Sequence, residues 1–536
     1  MKASLAAVAM AIVLASCSGR EESRYVEIEN DTFWETVDKQ PLYSQGGGIF
    51  RMTDPRDGRE KYFWYGVHYK EAEQYREDPR RKYDRCTFEG VSLYTADVVG
   101  EWHKESDVVT AEDLRRDGRV AGWLGRMGVG YVEEAKSYVL AIQENNSVLL
   151  MTGKSPLGPF ERYRNIDMTS RIGTPNTGDQ TVFVDKDGTP YLVYSYGRGR
   201  NKGYISRIGV DAASDSIDLV GCTKIFEGAS REGNCMFRRG DKYYVFASNI
   251  YGWDGSLAYY LVSDSIYGPY EPVNDMRVME GCEMDYAHVS QTGFFFNVEG
   301  SEEETVVFCG DRWADFANNG YGYNQWTPIT FDKEGTPRFN SLSHWAIDSK
   351  TGLWMTGSRN NYVLNGSFEA DRRIIPLAVK PRQEFLLGWE TEIVEGTPVG
   401  VEVVNSPKLN CFNSEEDQRN VCGKMSMQIS DTTHFKRRIT QVVESRGDVV
   451  LGDGKYILRA KAKASEGFES LRMIAEGSSE GDSQRQEVAI AETGGKWVAI
   501  EMEVIVRGGR VTVGFEAEGA GGASCRIDDV SLRRKE

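Results

Sequence analysis

Apolar and polar positions alternate in short runs along the first two thirds of the chain, and the runs come in groups. Cys235 to Arg238 and Tyr243 to Ser248 are two apolar-rich runs joined by Arg239-Gly240-Asp241-Lys242, the spacing and turn chemistry of a β-hairpin. Runs of the same character recur as KYFWYGV (Lys61 to Val67), SYVLAI (Ser137 to Ile142), YLVYS (Tyr191 to Ser195), YYVFAS (Tyr243 to Ser248) and TVVFCG (Thr305 to Gly310), mostly at intervals of fifty to sixty residues. A closing phrase recurs with them: TADVVGEW (Thr95 to Trp102), TGKSPLGPF (Thr152 to Phe160) and SDSIYGPY (Ser263 to Tyr270). Four short strands per repeat and no long helical period predict the blades of a β-propeller, five by count of the recurring strand.

The pattern changes across TGLWMTGSRNNY (Thr351 to Tyr362), a polar connection. Beyond it, YILRAKAKA (Tyr456 to Ala464), WVAIEMEVIV (Trp497 to Val506), RVTVGFEAE (Arg510 to Glu518) and CRIDDVSL (Cys525 to Leu532) run apolar or alternating with Gly-rich turns between them, which predicts a separate β-sandwich. The expected fold is therefore all-β, with a propeller over 40–355 and a sandwich over 362–536.

The N-terminus modifies this picture. Lys2, an apolar run through Val13 and then Leu14-Ala15-Ser16-Cys17 read as a secretory signal peptide, too short for a membrane span. Small residues followed at once by Cys resemble the bacterial lipoprotein box, which implies cleavage before Cys17, lipid attached to its thiol, and residence in the Gram-negative envelope, at the outer membrane or in the periplasm. Residues 1–17 are assigned to this segment and 18–39 to a linker, with membrane contact expected through the lipid alone.

A formal charge of -17 argues against nucleic acid as a partner, because that binding needs concentrated Lys and Arg. Eight cysteines follow Cys17 in an exported chain, and Cys411 with Cys422 is the expected disulfide, both lying in one polar segment. Five histidines without close His or Cys partners at ligand spacing argue against zinc. In LYSQGGGIF (Leu42 to Phe50), three consecutive glycines let the backbone pass close to another strand or a ligand; no helical pattern follows, so a phosphate loop is a poor reading.

A propeller gathers the starts of its inner strands around one axis. Asp179 precedes QTVFVD, Glu232 sits just before the strand Cys235 to Arg238, and Ser290-Gln291 precede TGFFF, so two carboxylates and an amide come from equivalent places in three repeats. Taken singly, each is equally a polar residue on a solvated rim. Together they suit sugar chemistry, in which carboxyl groups handle protons and aromatic rings such as Trp64, Trp123, Trp253 and Trp313 accept the CH face of a pyranose; burial in a blade core is the alternative for each ring.

The five-blade pattern and the phrases DQTVFVDKDGTPYLVYS (Asp179 to Ser195), EGNCMFRRGDKYYVFASNIYGWD (Glu232 to Asp254), SQTGFFF (Ser290 to Phe296) and GDRW (Gly310 to Trp313) resemble glycoside hydrolase family 43, most of all its exo-β-1,3-galactanase branch, over about Gln45 to Trp354. The resemblance implies that Glu232 is the general acid, that Asp179 orients it and adjusts its pKa, and that Gln291 stands where a water-activating group is expected. Gln45, Trp253, Asp311 and Trp313 are the expected sugar-binding residues. Two departures stand out. SQGGGIF occupies the place of the base Asp found in most of the family, and Gly125 replaces a Glu of the galactanase branch; Glu283, Asp285 and Asp311 could substitute, with a structural or sugar-hydroxyl role as the alternative for each. YVLNGSFEAD (Tyr362 to Asp371) and CRIDDVSL resemble jelly-roll carbohydrate-binding modules, in which such an acidic run often sits near a structural calcium ion; Glu369, Asp528 and Asp529 are the candidate ligands, with solvated carboxylates at a strand end as the alternative, and no cofactor is required.

The resemblance implies an inverting glycosidase acting on an oligosaccharide or polysaccharide, with exo-β-1,3-galactosidase as the first reading. An α-L-arabinofuranosidase and a non-catalytic glycan-binding lipoprotein are the alternatives. The sequence assigns no oligomeric state.

Overall fold

The computed structural model describes residues 24–78, 87–116, 123–145, 147–252, 254–273, 275–314, 319–371, 383–477 and 485–536, with the backbone alone at 286–287, 313–314 and 319–323. Five four-stranded antiparallel sheets follow one another along the chain, each made of consecutive strands. Their first strands are Gln45–Thr53, Leu124–Val132, Thr177–Val184, Glu232–Arg239 and Gln291–Glu299. Each touches the next and the fifth touches the first, so the five sheets close into the expected propeller. The repeating apolar run is the second strand of each blade. Its first interval is longest because the helix Ala72–Glu77 and its flanks stand between the second and third strands of blade one.

Among the described residues no strand is exchanged between the first and last blades, and the ring is fastened differently. Val26–Glu29, inside the segment read as linker, pairs antiparallel with His344–Ile347, just past blade five. Buried Asn30 then donates to the carbonyls of Trp326 and Leu342 at 2.7 Å each. Beneath this strap, Trp64 packs edge-on or tilted among Trp102, Trp326 and Trp34, with ring centroids 4.8–6.1 Å apart. Trp64 is therefore core, not a sugar platform.

All five inner strands carry a register shift near their start: Gln45/Gly48, Leu124/Met127, Thr177/Gln180, Glu232/Cys235 and Thr292/Phe294. A bulge adds a residue and turns the side chains around it, which is how a strand that is apolar along its length presents polar groups at one end. Each bulge contains a glycine. A Cβ on Gly47 would lie 1.8 Å from the carbonyl oxygen of Tyr65, so the triple glycine serves close approach of a neighbouring strand.

The C-terminal part forms two five-stranded antiparallel sheets, from Glu390–Glu395, Phe435–Glu444, Arg510–Gly519, Phe468–Gly477 and Arg485–Ala489, and from Asn410–Phe412, Met425–Ser430, Ser524–Arg534, Gly454–Ala464 and Val498–Val506. Alternation in Phe435–Glu444 places Phe435, Ile439 and Val443 in the core shared with Tyr456, Val504 and Phe515. The opening and closing phrases of this sandwich meet: Val530 N–H donates to Gly366 O and Tyr362 N–H to Leu532 O. Cys411 and Cys422 are both free thiols, which corrects the expected disulfide. Arg526 Nε donates to Cys411 Sγ at 3.1 Å, while the backbone N–H of Cys422 donates to Asp529. Among the described residues, no helix is long and apolar enough to cross a membrane; Cys17 lies outside them.

Candidate active site

The bulged strand starts bring Gln45, Arg126, Asp179, Glu232 and Gln291 to one end of the propeller axis, and Asp311 joins them from the strand paired with Gln291. Arg126 is the residue that sequence reasoning missed. Its side chain is only 3% exposed and lies at the centre of the ring. Nη1 donates to Asp311 Oδ2 at 2.8 Å, Nη2 to Gln291 Oε1 at 3.0 Å and to Thr292 O at 2.9 Å, and Nε lies 3.6 Å from Asp179 Oδ2. The signal was present: Gly125-Arg126 stands in its bulge as Gly178-Asp179 stands in the next.

Glu232 is buried and bound from two sides. Gln291 Nε2 donates to Oε1 at 2.8 Å, and Arg200 Nη1 donates to Oε2. Asp179 accepts the Gly233 N–H at 2.9 Å, faces Arg200 Nη2 at 3.5 Å, and is bonded by Gln143. The site thus holds three carboxyl groups, Asp179, Glu232 and Asp311, against two guanidinium groups, Arg126 and Arg200. One negative charge is uncompensated, and burial makes that costly. Burial and the charge of Asp179 push the Glu232 carboxyl up to about 8, against the pull of Arg200 and Arg126. Burial also acts to raise Asp179, but Arg200, Arg126 and the Gly233 N–H hold it below the usual range. Neighbouring carboxyl groups are driven apart in this way: Glu232 keeps a proton at neutral pH and Asp179 keeps a charge.

Asp311, expected at the sugar, is buried with Arg126 and the Gly46 N–H as its partners, and burial raises its pKa. Asp285 accepts from Ser341 Oγ and the His288 N–H, and Glu283 is exposed, so neither belongs to the axial cluster. At Gly125 an added Cβ would lie 2.5 Å from the Trp123 ring and 2.6 Å from Gln143 Oε1; these two side chains fill the space that a Glu there would enter. Gln45 is buried with its Oε1 unbonded, an acceptor aimed at no protein donor among the described residues. Trp253 and the side chain of Trp313 lie outside the described residues.

In the sandwich, Asp528 is buried and its carboxyl is pushed well up by burial, Asp529 and Glu369. Glu369 Oε1 accepts the N–H groups of Lys424 and Met425 at 2.7 Å each, and Asp529 pairs with Lys461 at 2.9 Å. Among the described residues, three ligand atoms of His, Cys, Asp or Glu come within 4.8 Å of one another only at His434, Glu469 and Glu518, on the sandwich surface, where Lys436 already pairs with Glu518.

The sequence profile of Glycosyl hydrolases family 43 matches residues 85–337. The fold is similar to the crystal structure of an exo-β-1,3-galactanase from Clostridium thermocellum (22% identity, TM-score 0.51, 62% of this chain and 68% of that one). It is also similar to that of an exo-β-1,3-galactanase from Phanerochaete chrysosporium with β-1,3-galactotriose (16% identity, TM-score 0.52, 94% and 99%), a likeness that spans both domains. No curated protein matches the sequence. An axial end carrying one protonated and one charged carboxyl group, in a propeller that the family 43 profile covers from the third strand of blade one through blade five, is that of a glycosidase.

Proposed function

We propose that the chain is an inverting exo-β-1,3-galactosidase acting on galactan-type substrates. The observation that carries the reading is the charge imbalance at the axis, which leaves Glu232 protonated beside a charged Asp179. Glu232 then protonates the leaving glycosidic oxygen, and Asp179 sustains that proton through its charge. Gln291, held between Arg126 and Glu232, is the proposed group that orients the attacking water. An amide is a weak proton acceptor, so turnover is expected to be slow. Gln45 Oε1 is the proposed acceptor for a sugar hydroxyl. The galactan assignment draws on the galactanase likeness in fold and on the phrases around Asp179, Glu232 and Gln291.

The test compares wild type with Glu232→Gln on β-1,3-galactan and on arabinan oligosaccharides, following released monosaccharide and, separately, sugar binding. Gln keeps the shape of Glu but supplies no acid proton, so hydrolysis should fall by about 10²–10⁴-fold with binding retained. Equal activity of the two proteins removes the assignment of the acid. Release of arabinose alone moves the substrate to arabinan, and binding without turnover in wild type on every glycan moves the reading to a glycan-binding protein. The proposal extends to a lipid anchor at Cys17, with Cys17→Ser released from membranes.

A further inference from the structure

The two cations of the site differ in origin. Arg126 belongs to the axial ring, whereas Arg200 reaches in from the turn between Pro190–Tyr196 and Lys202–Asp211, outside the repeating pattern. That turn is held in place by backbone contacts. Arg200 has a left-handed φ of 53° after Gly199 at 88°, its N–H donates to Tyr196 O at 3.2 Å, and its carbonyl accepts the Arg231 N–H at 2.8 Å. Ser230 Oγ donates to Gly199 O at 2.6 Å. The two residues before Glu232 are thus tied to the turn that carries Arg200, so acid and cation move as one piece. The Arg200 side chain is 25% exposed and Arg126 3%, which makes Arg200 the cation on the solvent side of the cluster.

We propose that Arg200 is a positioning residue for the acid: its guanidinium spans Glu232 and Asp179 and offsets the charge of Asp179, so that the proton on Glu232 can be given up near neutral pH. This rests on the glycosidase reading of the site. The groups facing Glu232 are Asp179, Arg126, the Gln291 amide, the Tyr251 N–H and Arg200 itself. Burial and Asp179 both favour the protonated form, and an acid that holds its proton too tightly is as ineffective as one that has lost it. Arg126 is already divided among Asp311, Gln291 and Thr292. Arg200 is the cation that bonds Glu232 directly. Its direction of action agrees with this role, since it pulls the Glu232 pKa down.

The experiment titrates Glu232 in the free protein by NMR with carboxyl-13C glutamate, its resonance identified by its absence in Glu232→Gln. Asn tolerates positive φ, so Arg200→Asn removes the charge and keeps the turn; Arg200→Lys retains the charge. The Glu232 midpoint should rise by about one pH unit or more in Arg200→Asn and stay near wild type in Arg200→Lys. Coincident midpoints in all three proteins overturn the proposal. On an active substrate, the basic limb of kcat/KM should move upward in Arg200→Asn by the same amount, which a purely structural role for the turn would not produce. A shifted midpoint in a protein without hydrolytic activity would sink the glycosidase reading and leave the electrostatic role of Arg200 standing.

Discussion

The propeller and the sandwich each bury a guanidinium group against carboxyl groups, and the two are built to different ends. In the sandwich, Arg437 and Asp431 have side chains 0% exposed and meet at 2.6 Å. Arg437 also donates to Ser430 O and Thr397 O, and Asp431 accepts from the N–H and Oγ1 of Thr397. One cation faces one anion, and local backbone takes up most of the remaining bonding. At the propeller axis, Arg126 and Arg200 face three carboxyl groups drawn from three blades. The closed pair has no reason to exchange a proton, whereas the open cluster cannot hold all of its charges at once. A buried ion pair is thus a structural element when its charges balance and a source of reactivity when they do not.

Breaking each cluster at its arginine tests this distinction most strongly. Arg437→Met leaves Asp431 buried and unpaired, which should cost about 3–5 kcal/mol in urea denaturation of the sandwich with hydrolysis per folded molecule unchanged. Arg126→Met releases Gln291 and Asp179 from their common anchor and should lower kcat/KM by about a hundredfold or more, since small misplacement of reacting groups is that costly. If Arg126→Met instead unfolds the protein while its folded fraction keeps full activity, the two clusters are of one kind.

Asp179→Asn sharpens the electrostatic side. The charge of Asp179 raises the Glu232 pKa, so its loss lets Glu232 ionise sooner, and the basic limb of the kcat/KM profile should move to lower pH by about 1–3 units. An unmoved limb would separate Asp179 from the acid. The smallest effect is on stability. The Glu232 pKa in the folded protein, about 8, lies above the ordinary 4.5, so the native state binds the extra proton and stability falls as pH rises between those values. Glu232→Gln escapes this loss. Its melting temperature should match wild type near pH 4 and exceed it by a margin that grows to pH 8, measured by calorimetry across that range.

Much of this was legible along the chain. The blades could be counted because the second strand of each is an apolar run bounded by turn residues, a local feature repeated five times. Glu232, Asp179 and Gln291 could be picked out as polar residues at the starts of otherwise apolar strands. The strap Val26–Glu29 was read as linker because four residues with one buried side chain carry little periodicity, and its partner lies more than three hundred residues away. Trp64 and Trp123 looked alike in sequence. Only packing shows the first buried among three other tryptophans and the second beside Gly125 and Gln143.

Local pattern by itself determined the strands, their grouping into blades and sandwich, and the identity of the acidic residues that open the inner strands, because each depends on neighbours a few positions away. The tertiary structure alone decided which charges meet. Whether the residue after a bulge glycine faces the axis depends on the register with the adjacent strand, and this put Arg126 beside Asp311 and Gln291, 185 and 165 positions further on. A turn outside the repeat then set Arg200 against Glu232, 32 positions away. The protonation state of Glu232 follows from that sum of charges in a buried place, and a linear sequence carries no term for it.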